Sequence, residues 1–474
     1  MSTVTKIATN TTFTLIGNVV VKVLALFVSV YLARYLGVEY FGEYNFIITY
    51  LAFFVFVANF GLDPILIRDI SRCGSDANHI TSNILVIRVL TSLFSIFLSI
   101  LLIRFLDYPD ETILYVSVLS VILVFQGISY LFESVFHANL KMQYSAIGLI
   151  TSKLFYSAAV FILIYLSKSL IDFLYLYIIA ELIRMLIAIY YSRNFVRIKC
   201  DIDSELWKSL FKQCLPFIAG YALFIIYYRI DILMLSKMEG NLAVGLYSAA
   251  YKLVDPLLFI PGALASTLMP LMSKYYISEF SKLKRLYLTG SKYIILLMLP
   301  LTIGLFLLSE KVFGFLYTED YFPAILTFQI LSLTLVFNSV NSIQNSLLVA
   351  TDRQKVNTVS VGICCILNII LNLILIPIYS YNGAAIATLI SVITLFLIQL
   401  LFIKHALSLF SFSKEIYKVV IASLLMGTII LIFPEINFLI IVSVCIILYA
   451  LFLYWINFFS QDDILMFNLL LRKD

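Results

Sequence analysis

The sequence predicts an all-α polytopic membrane protein of about fourteen transmembrane helices, built as two pseudo-symmetric six-helix lobes plus two C-terminal helices. Three observations carry that expectation. Hydrophobic residues fill 62% of the 474 positions and charged residues only 12%, too few polar groups to clothe a soluble domain. The apolar residues recur in runs of about 20, the length at which an α-helix crosses the hydrocarbon core. None of these runs alternates polar with apolar over about ten positions, as a membrane β-strand does. In lipid, a helix satisfies its own backbone hydrogen bonds.

Turn residues and charges divide the runs. The first six predicted spans are Phe13–Tyr35, Tyr44–Ile67, Thr81–Leu106, Thr112–His137, Ser145–Ser167 and Asp172–Ser192. The next six are Gln213–Ser236, Gly245–Met272, Gly290–Leu308, Pro323–Ala350, Val356–Tyr379 and Gly383–His405. Lys418–Phe433 and Phe438–Phe459 complete the set. The polar start MSTVTKIATNTTF has no basic leader, so the first span is expected to serve as an uncleaved signal anchor. With the N-terminus inside, inner segments take about 20 of the 32 basic residues and outer loops about 5. Both termini are therefore expected to be cytoplasmic. The basic stretches Arg193–Lys212, Ser273–Arg285 and Thr351–Lys355 are expected as inner loops.

One motif occurs twice. Gly37, Gly42 and Tyr44 form G-x4-G-x-Y after span one, and Gly240, Gly245 and Tyr247 repeat it after span seven, 203 residues on. The first glycine suits a helix end with positive φ, the second a tight start to the next helix. The tyrosine is expected at the membrane interface. HANLKMQY and VATDRQKV echo one another at a similar offset. Six spans per copy make the repeats parallel. The expected divisions are a lobe over 1–195, a linker over 196–212, a lobe over 213–407 and a tail region over 408–474.

Several functions are excluded. No connection is long enough for an extramembrane catalytic domain, and no phosphate loop, HExxH or GxSxG occurs. The six cysteines are scattered without ligand spacing, and the three histidines sit at helix ends, so neither a metal nor a cofactor is expected. The net charge of +5 is dispersed, which argues against a nucleic-acid partner.

Charges inside the spans ask for a reason. Lys22, Arg88, Glu133, Lys153, Glu181, Arg184, Arg229, Asp231, Lys252 and Asp255 all lie there. Each costs about 2.5 to 3.5 kcal/mol near a helix centre unless paired or hydrated. A polar interior through which something passes is the expected use. Glu181 and Arg184 are spaced to pair along one helix, as are Lys252 and Asp255. Glu133 and Lys153 are candidates to face one another, and Arg88 is expected to snorkel to the interface. Arg229 and Asp231, two residues apart, point to different sides.

The runs YLARYLGVEYFGEYNF, NFGLDPILIRDISR, LPFIAGYALFIIYYRIDILMLSKMEGNLAVGLYSAAYKL and LNIILNLILIPIYSYNGAAIATLIS resemble the polysaccharide-type (Wzx-like) flippases of the multidrug/oligosaccharidyl-lipid/polysaccharide exporter superfamily. The resemblance extends from Phe13 to His405. It implies two six-helix lobes, alternating access, and export of an undecaprenyl-diphosphate-linked oligosaccharide across the bacterial cytoplasmic membrane. The product would be a surface polysaccharide such as O-antigen, capsule or exopolysaccharide. A proton or sodium ion is the candidate coupling ion; a polymerase and glycosyltransferases are candidate partners beside the bilayer itself.

A diphosphate needs cations and a glycan needs hydrogen-bonding groups. Lys22 is the foremost candidate cation, about 14 Å into span one, with Arg229, Lys252 and Lys153 beside it. Asp231, Asp255 and Glu133 are gating or coupling candidates. Asn18, Asn341, Asn345, Asn368 and Asn372 are candidate sugar contacts. Two alternatives stand beside the flippase: a cation-coupled multidrug antiporter on the same fold, and a membrane polysaccharide polymerase.

Overall fold

The computed structural model describes residues 3–72, 76–199, 202–407, 415–456 and 458; for 3–16, 18, 215–217 and 219 it describes the helical backbone alone. Among the described residues every regular element is helical. Ten segments are long and apolar enough to cross a membrane. Two of them each hold a pair of crossings joined at one non-helical residue: α1 (Thr3–Asn59) at Gly37 and α14 (Gln354–Leu407) at Ser380. With α8 (Ser204–Glu239) and the shorter α15 (Ile416–Ile432), the expected 14 helices are present.

The chain divides into two compact units, Met1–Ser248 and Ala249–Asp474. The first unit holds α1, α2 (Asp63–Arg72), α3 (Ala77–Phe105), α4 (Asp110–Leu119), α5 (Ile122–Ala138), α6 (Gln143–Tyr165), α7 (Leu170–Ser192), α8 and the start of α9 (Asn241–Val254). Local chemistry sets these ends. Asp203 caps α8 by accepting from the backbone of Glu205 and Leu206 at 2.9 and 3.0 Å. Ser169 and Asp172 form a capping box at the start of α7. The core of this unit gathers Leu66, Ile84, Leu131, Phe136 and Leu210. Large apolar side chains such as Phe97 and Ile162 stay exposed, as suits a surface whose solvent is lipid.

The second unit continues from α9 through a 3-10 turn at Asp255–Leu258 into α10 (Phe259–Ser278) and α11 (Phe280–Leu307). It then runs through α12 (Ser309–Leu316), a 3-10 turn at Glu319–Ala324, α13 (Ile325–Ala350), α14, α15 and α16 (Phe438–Trp455). Its core centres on α11 and α13, with Tyr287, Ile294, Met298, Ile343 and Leu347 buried.

The repeated motif has a structural basis. Gly37 and Gly240 adopt φ of 73° and 83°, so both break their helices in the region that favours glycine. The following glycines meet. A Cβ on Gly42 would lie 1.8 Å from the carbonyl oxygen of Asn241, and one on Gly245 would lie 2.0 Å from that of Val38. The two copies of the turn thus pack backbone against backbone within the first unit. The compact units meet in sequence at Ser248, with α8 packed on α1.

Several expectations need correction. The tyrosines of the motif face inward: Tyr44 and Tyr247 are buried among neighbouring helices. Each hydroxyl has a buried partner, Tyr44 sharing a 2.5 Å hydrogen bond with Tyr156 and Tyr247 donating to Asp231. Ser273–Arg285 is not a loop, since α10 reaches Ser278 and α11 starts at Phe280. Polar side chains there extend amphipathic helices beyond the apolar run. Cys214, Cys364, Cys365 and Cys445 are free and buried, as expected of core fillers; Cys73 and Cys200 lie outside the described residues.

Candidate substrate site in the first unit

Six charges of the first unit form two linked clusters. Arg88, on α3, is fully buried rather than snorkelling. Its guanidinium pairs with Asp63 at the start of α2 and donates to Gly127 O at 2.9 Å and Asn59 Oδ1 at 3.2 Å. Ser134 on α5 donates to the same Asp63 oxygen at 2.8 Å. A helix face turned into the bundle cannot send its side chain to water, so Arg88 takes its partner from the neighbouring helix end.

The second cluster joins α5, α6 and α7. Arg184 donates twice to Glu133, at 2.9 and 3.0 Å, in the planar fork that guanidinium and carboxylate share. Its other edge lies 3.6 Å from Glu181, the expected i,i+3 pair. Lys153 also stands 3.6 Å from Glu181. The expected Glu133–Lys153 pairing is thus replaced by a chain Lys153–Glu181–Arg184–Glu133. Rotation about each helix axis decides this, and Arg184 reaches Glu133 with two bonds where Lys153 offers one point charge. The faces of Tyr130 and Tyr177 receive the two cations, Arg184 at 4.8 Å and Lys153 at 5.0 Å from the ring centres. Ser134, the neighbour of Glu133 on α5, bonds Asp63, so the two clusters share that helix. Three bases face three acids.

Above Asp63 the unit opens into a cavity of about 670 Å³. Asn59, Asp63, Tyr130, Tyr221 and Phe224 line it, with Phe56 behind Tyr221 at 6.2 Å between ring centres. The kink that ends α1 and starts α2 presents Asn59 and Asp63 there, and α8 supplies the rings of Tyr221 and Phe224. Asp63 was outside the candidates although it lies in the last turn of the span Tyr44–Ile67; its signal is the acid and proline pair in GLDP.

The other candidates distribute as follows. Lys22, Arg229 and Lys252 are half-buried and each already interacts with a neighbour. Asp231 is buried on α8 and accepts a hydrogen bond from Tyr247. Asp255 opens a 3-10 turn beside Pro256. The side chain of Asn18 lies outside the described residues. In the second unit Asn341, Asn368 and Asn372 are buried: Asn341 donates to Val392 O at 3.4 Å and Asn372 to Asn368 at 2.9 Å. Asn345 is exposed.

Two features of the second unit escaped the sequence. Lys292 is a buried base on α11, paired with Glu415 and seated 4.5 Å from the centre of the Phe458 ring. An apolar cavity of about 390 Å³ lies between α11, α15 and α16, lined by Leu297, Gly304, Met426, Phe438 and Cys445 among others. Among the described residues no cluster of His, Cys, Asp and Glu suits a metal ion.

The family model described as polysaccharide biosynthesis protein matches residues 7–276, and the MatE model matches residues 216–374. An uncharacterized membrane protein of Methanocaldococcus jannaschii is 26% identical over 45% of this chain and 43% of its own length. A probable low-salt glycan biosynthesis flippase, Agl15 of Haloferax volcanii, is 26% identical over 42% of this chain and 41% of its own. The matched part of the chain thus spans under half the length of these curated relatives. In structure the chain resembles the lipid II flippase MurJ in an inward closed conformation, with a TM-score of 0.81 and 20% identity over 93% of this chain and 97% of that one. It also resembles an inward-facing multidrug resistance MATE family transporter of the MOP superfamily, with a TM-score of 0.66 and 14% identity over 82% and 94%. Both likenesses describe the fold.

Proposed function

We propose that this chain, which belongs to the polysaccharide biosynthesis protein family, is a flippase for an undecaprenyl-diphosphate-linked oligosaccharide. It moves the unit across the bacterial cytoplasmic membrane by alternating access, for O-antigen, capsule or exopolysaccharide assembly. The observation that carries the reading is a ring-lined cavity with Asn59 and Asp63 in its wall, beside buried ion pairs, inside a helical bundle otherwise built for lipid. Lys22, Arg229, Lys252 and Lys153 are the cations assigned to the diphosphate, and Asp231, Asp255 and Glu133 to gating or coupling by a proton or sodium ion. Asn18, Asn341, Asn345, Asn368 and Asn372 remain the sugar contacts assigned from sequence. The apolar cavity of the second unit suits a polyprenyl tail. Both termini are cytoplasmic in this reading, and a polymerase and glycosyltransferases are its pathway partners.

The test is transfer. The full chain is reconstituted in vesicles with a fluorescent lipid-linked oligosaccharide on one leaflet, and appearance on the other leaflet is followed. Transfer no faster than in empty vesicles overturns the reading. In cells, Lys22→Ala lowers glycan export at unchanged protein abundance; undiminished export removes Lys22 from the site.

The match of residues 216–374 to the MatE family favours a second reading, cation-coupled antiport of small molecules. Ion-gradient-driven dye efflux by the same vesicles, without glycolipid transfer, would select it.

A further inference from the structure

We propose that the cavity above Asp63 is a sugar subsite for neutral, N-acetylated or amino-bearing residues, separate from the cations that take the diphosphate. The inference rests on the flippase reading and names what part of the substrate this cavity takes.

Its chemistry is that of a carbohydrate site. Arg88 and Ser134 both engage Oδ1 of Asp63, which leaves Oδ2 as the acceptor on a carboxylate one-third exposed. Asn59 gives its side-chain oxygen to Arg88, so its NH2 group is the donor that faces away from that bond. An acceptor and a donor on one helix junction match the paired hydroxyls of a sugar ring. Tyr221 and Phe224 are about half exposed and supply the apolar faces on which a ring can lie. A volume of about 670 Å³ lies within the range of small-molecule sites and admits more than one sugar ring.

Charge decides the class. No base lines the cavity among the described residues. Arg88 is fully buried beneath Asp63, and Arg184 lies against the far ring, Tyr130, with Glu133 and Glu181 on its guanidinium. A phosphate or uronate placed here would meet the Asp63 carboxylate without a free cation. A hydroxyl, acetamido or ammonium group would meet an acceptor.

The experiment uses the full chain in lipid nanodiscs and three probes: bare undecaprenyl diphosphate, the same lipid carrying an N-acetylglucosamine disaccharide, and the same lipid carrying glucuronic acid. The neutral glycan is expected to tighten binding about five- to tenfold over the bare lipid, and glucuronic acid to add nothing. Tyr221→Ala with Phe224→Ala removes the gain, so that the glycan-bearing and bare lipids bind the variant alike. Tyr221→Phe keeps the gain. Should the double variant fold poorly, Phe224→Leu, which keeps volume without a ring, carries the test. A gain that survives loss of the rings, or an equal gain from glucuronic acid, overturns the subsite alone. So does wild-type protein that binds bare lipid and gains nothing from sugar. Wild-type protein that binds none of the three overturns the flippase reading and the subsite with it.

Discussion

Arg184 on α7 grips Glu133 on α5 with two parallel hydrogen bonds of 2.9 and 3.0 Å, while its remaining edge faces Glu181 at 3.6 Å. One guanidinium thereby ties α7 to α5 and meets two carboxylates, and Lys153 extends the chain to α6 through Glu181.

Removing one end of that grip leaves a buried charge uncompensated. Arg184→Met is expected to destabilise the protein by about 3–5 kcal/mol. Glu133→Leu together with Arg184→Leu leaves Lys153 opposite Glu181 and is expected to cost less than Arg184→Met alone. Thermal unfolding of the purified variants in detergent measures both. Additive losses would show that the two residues do not act as a pair.

The Arg88–Asp63 contact separates burial from snorkelling. A snorkelling arginine is replaceable at small cost; a buried one is not. Asp63→Ala strands Arg88 inside the bundle and is expected to cost about 3–5 kcal/mol. Asp63→Asn keeps a side-chain oxygen for Arg88 and Ser134 and should lose less. Protease resistance of the two variants at matched expression reports the order.

The meeting of Gly42 with Asn241 and of Gly245 with Val38 leaves no room for a methyl group. Gly42→Ala and Gly245→Ala each force the two turns apart, at about 1–3 kcal/mol for overpacking. Cross-linking of cysteines placed at Val38 and Asn241 by a short bis-thiol reagent is expected to be efficient in the parent sequence and poorer with either alanine. Equal cross-linking in all three would mean that the turns do not pack closely in the membrane.

Tyr247→Phe removes the hydroxyl that serves Asp231. A loss of about 1–3 kcal/mol is expected, the cost of leaving a buried polar group unmade. Tyr44→Phe tests the copy in the first half of the repeat, where the partner is another tyrosine and no charge is stranded. Its loss should be smaller. Equal melting temperatures for the two variants would contradict this.

The sequence carries most of the fold. Apolar length set the spans, and the paired glycines marked the two turns by their positive φ. Contacts along one helix were also legible: Glu181 and Arg184 pair at i,i+3 as spacing requires. Contacts across helices were not, because the rotation of each helix about its axis follows from packing over its whole length. Glu133 therefore takes Arg184 in place of Lys153, and Arg88 takes Asp63 in place of water. Residues at the ends of apolar runs were the hardest to read. Asp63 and Lys292 look like ordinary span edges in one dimension and become buried or cavity-lining groups once neighbouring helices extend past them.

The balance of the first unit has an electrical consequence. Arg88, Arg184 and Lys153 answer Asp63, Glu133 and Glu181 one for one, so the band as a whole carries no net charge. A single unbalanced charge crossing the full membrane field exchanges about 2.3 kcal/mol per 100 mV. A band of zero net charge exchanges almost none, however far it shifts along the field. With no coupling ion at Glu133 its movement is electrically silent, and any voltage dependence of transport would arise from the cargo, its counter-ion, an ion taken up at Glu133, or charges elsewhere in the chain.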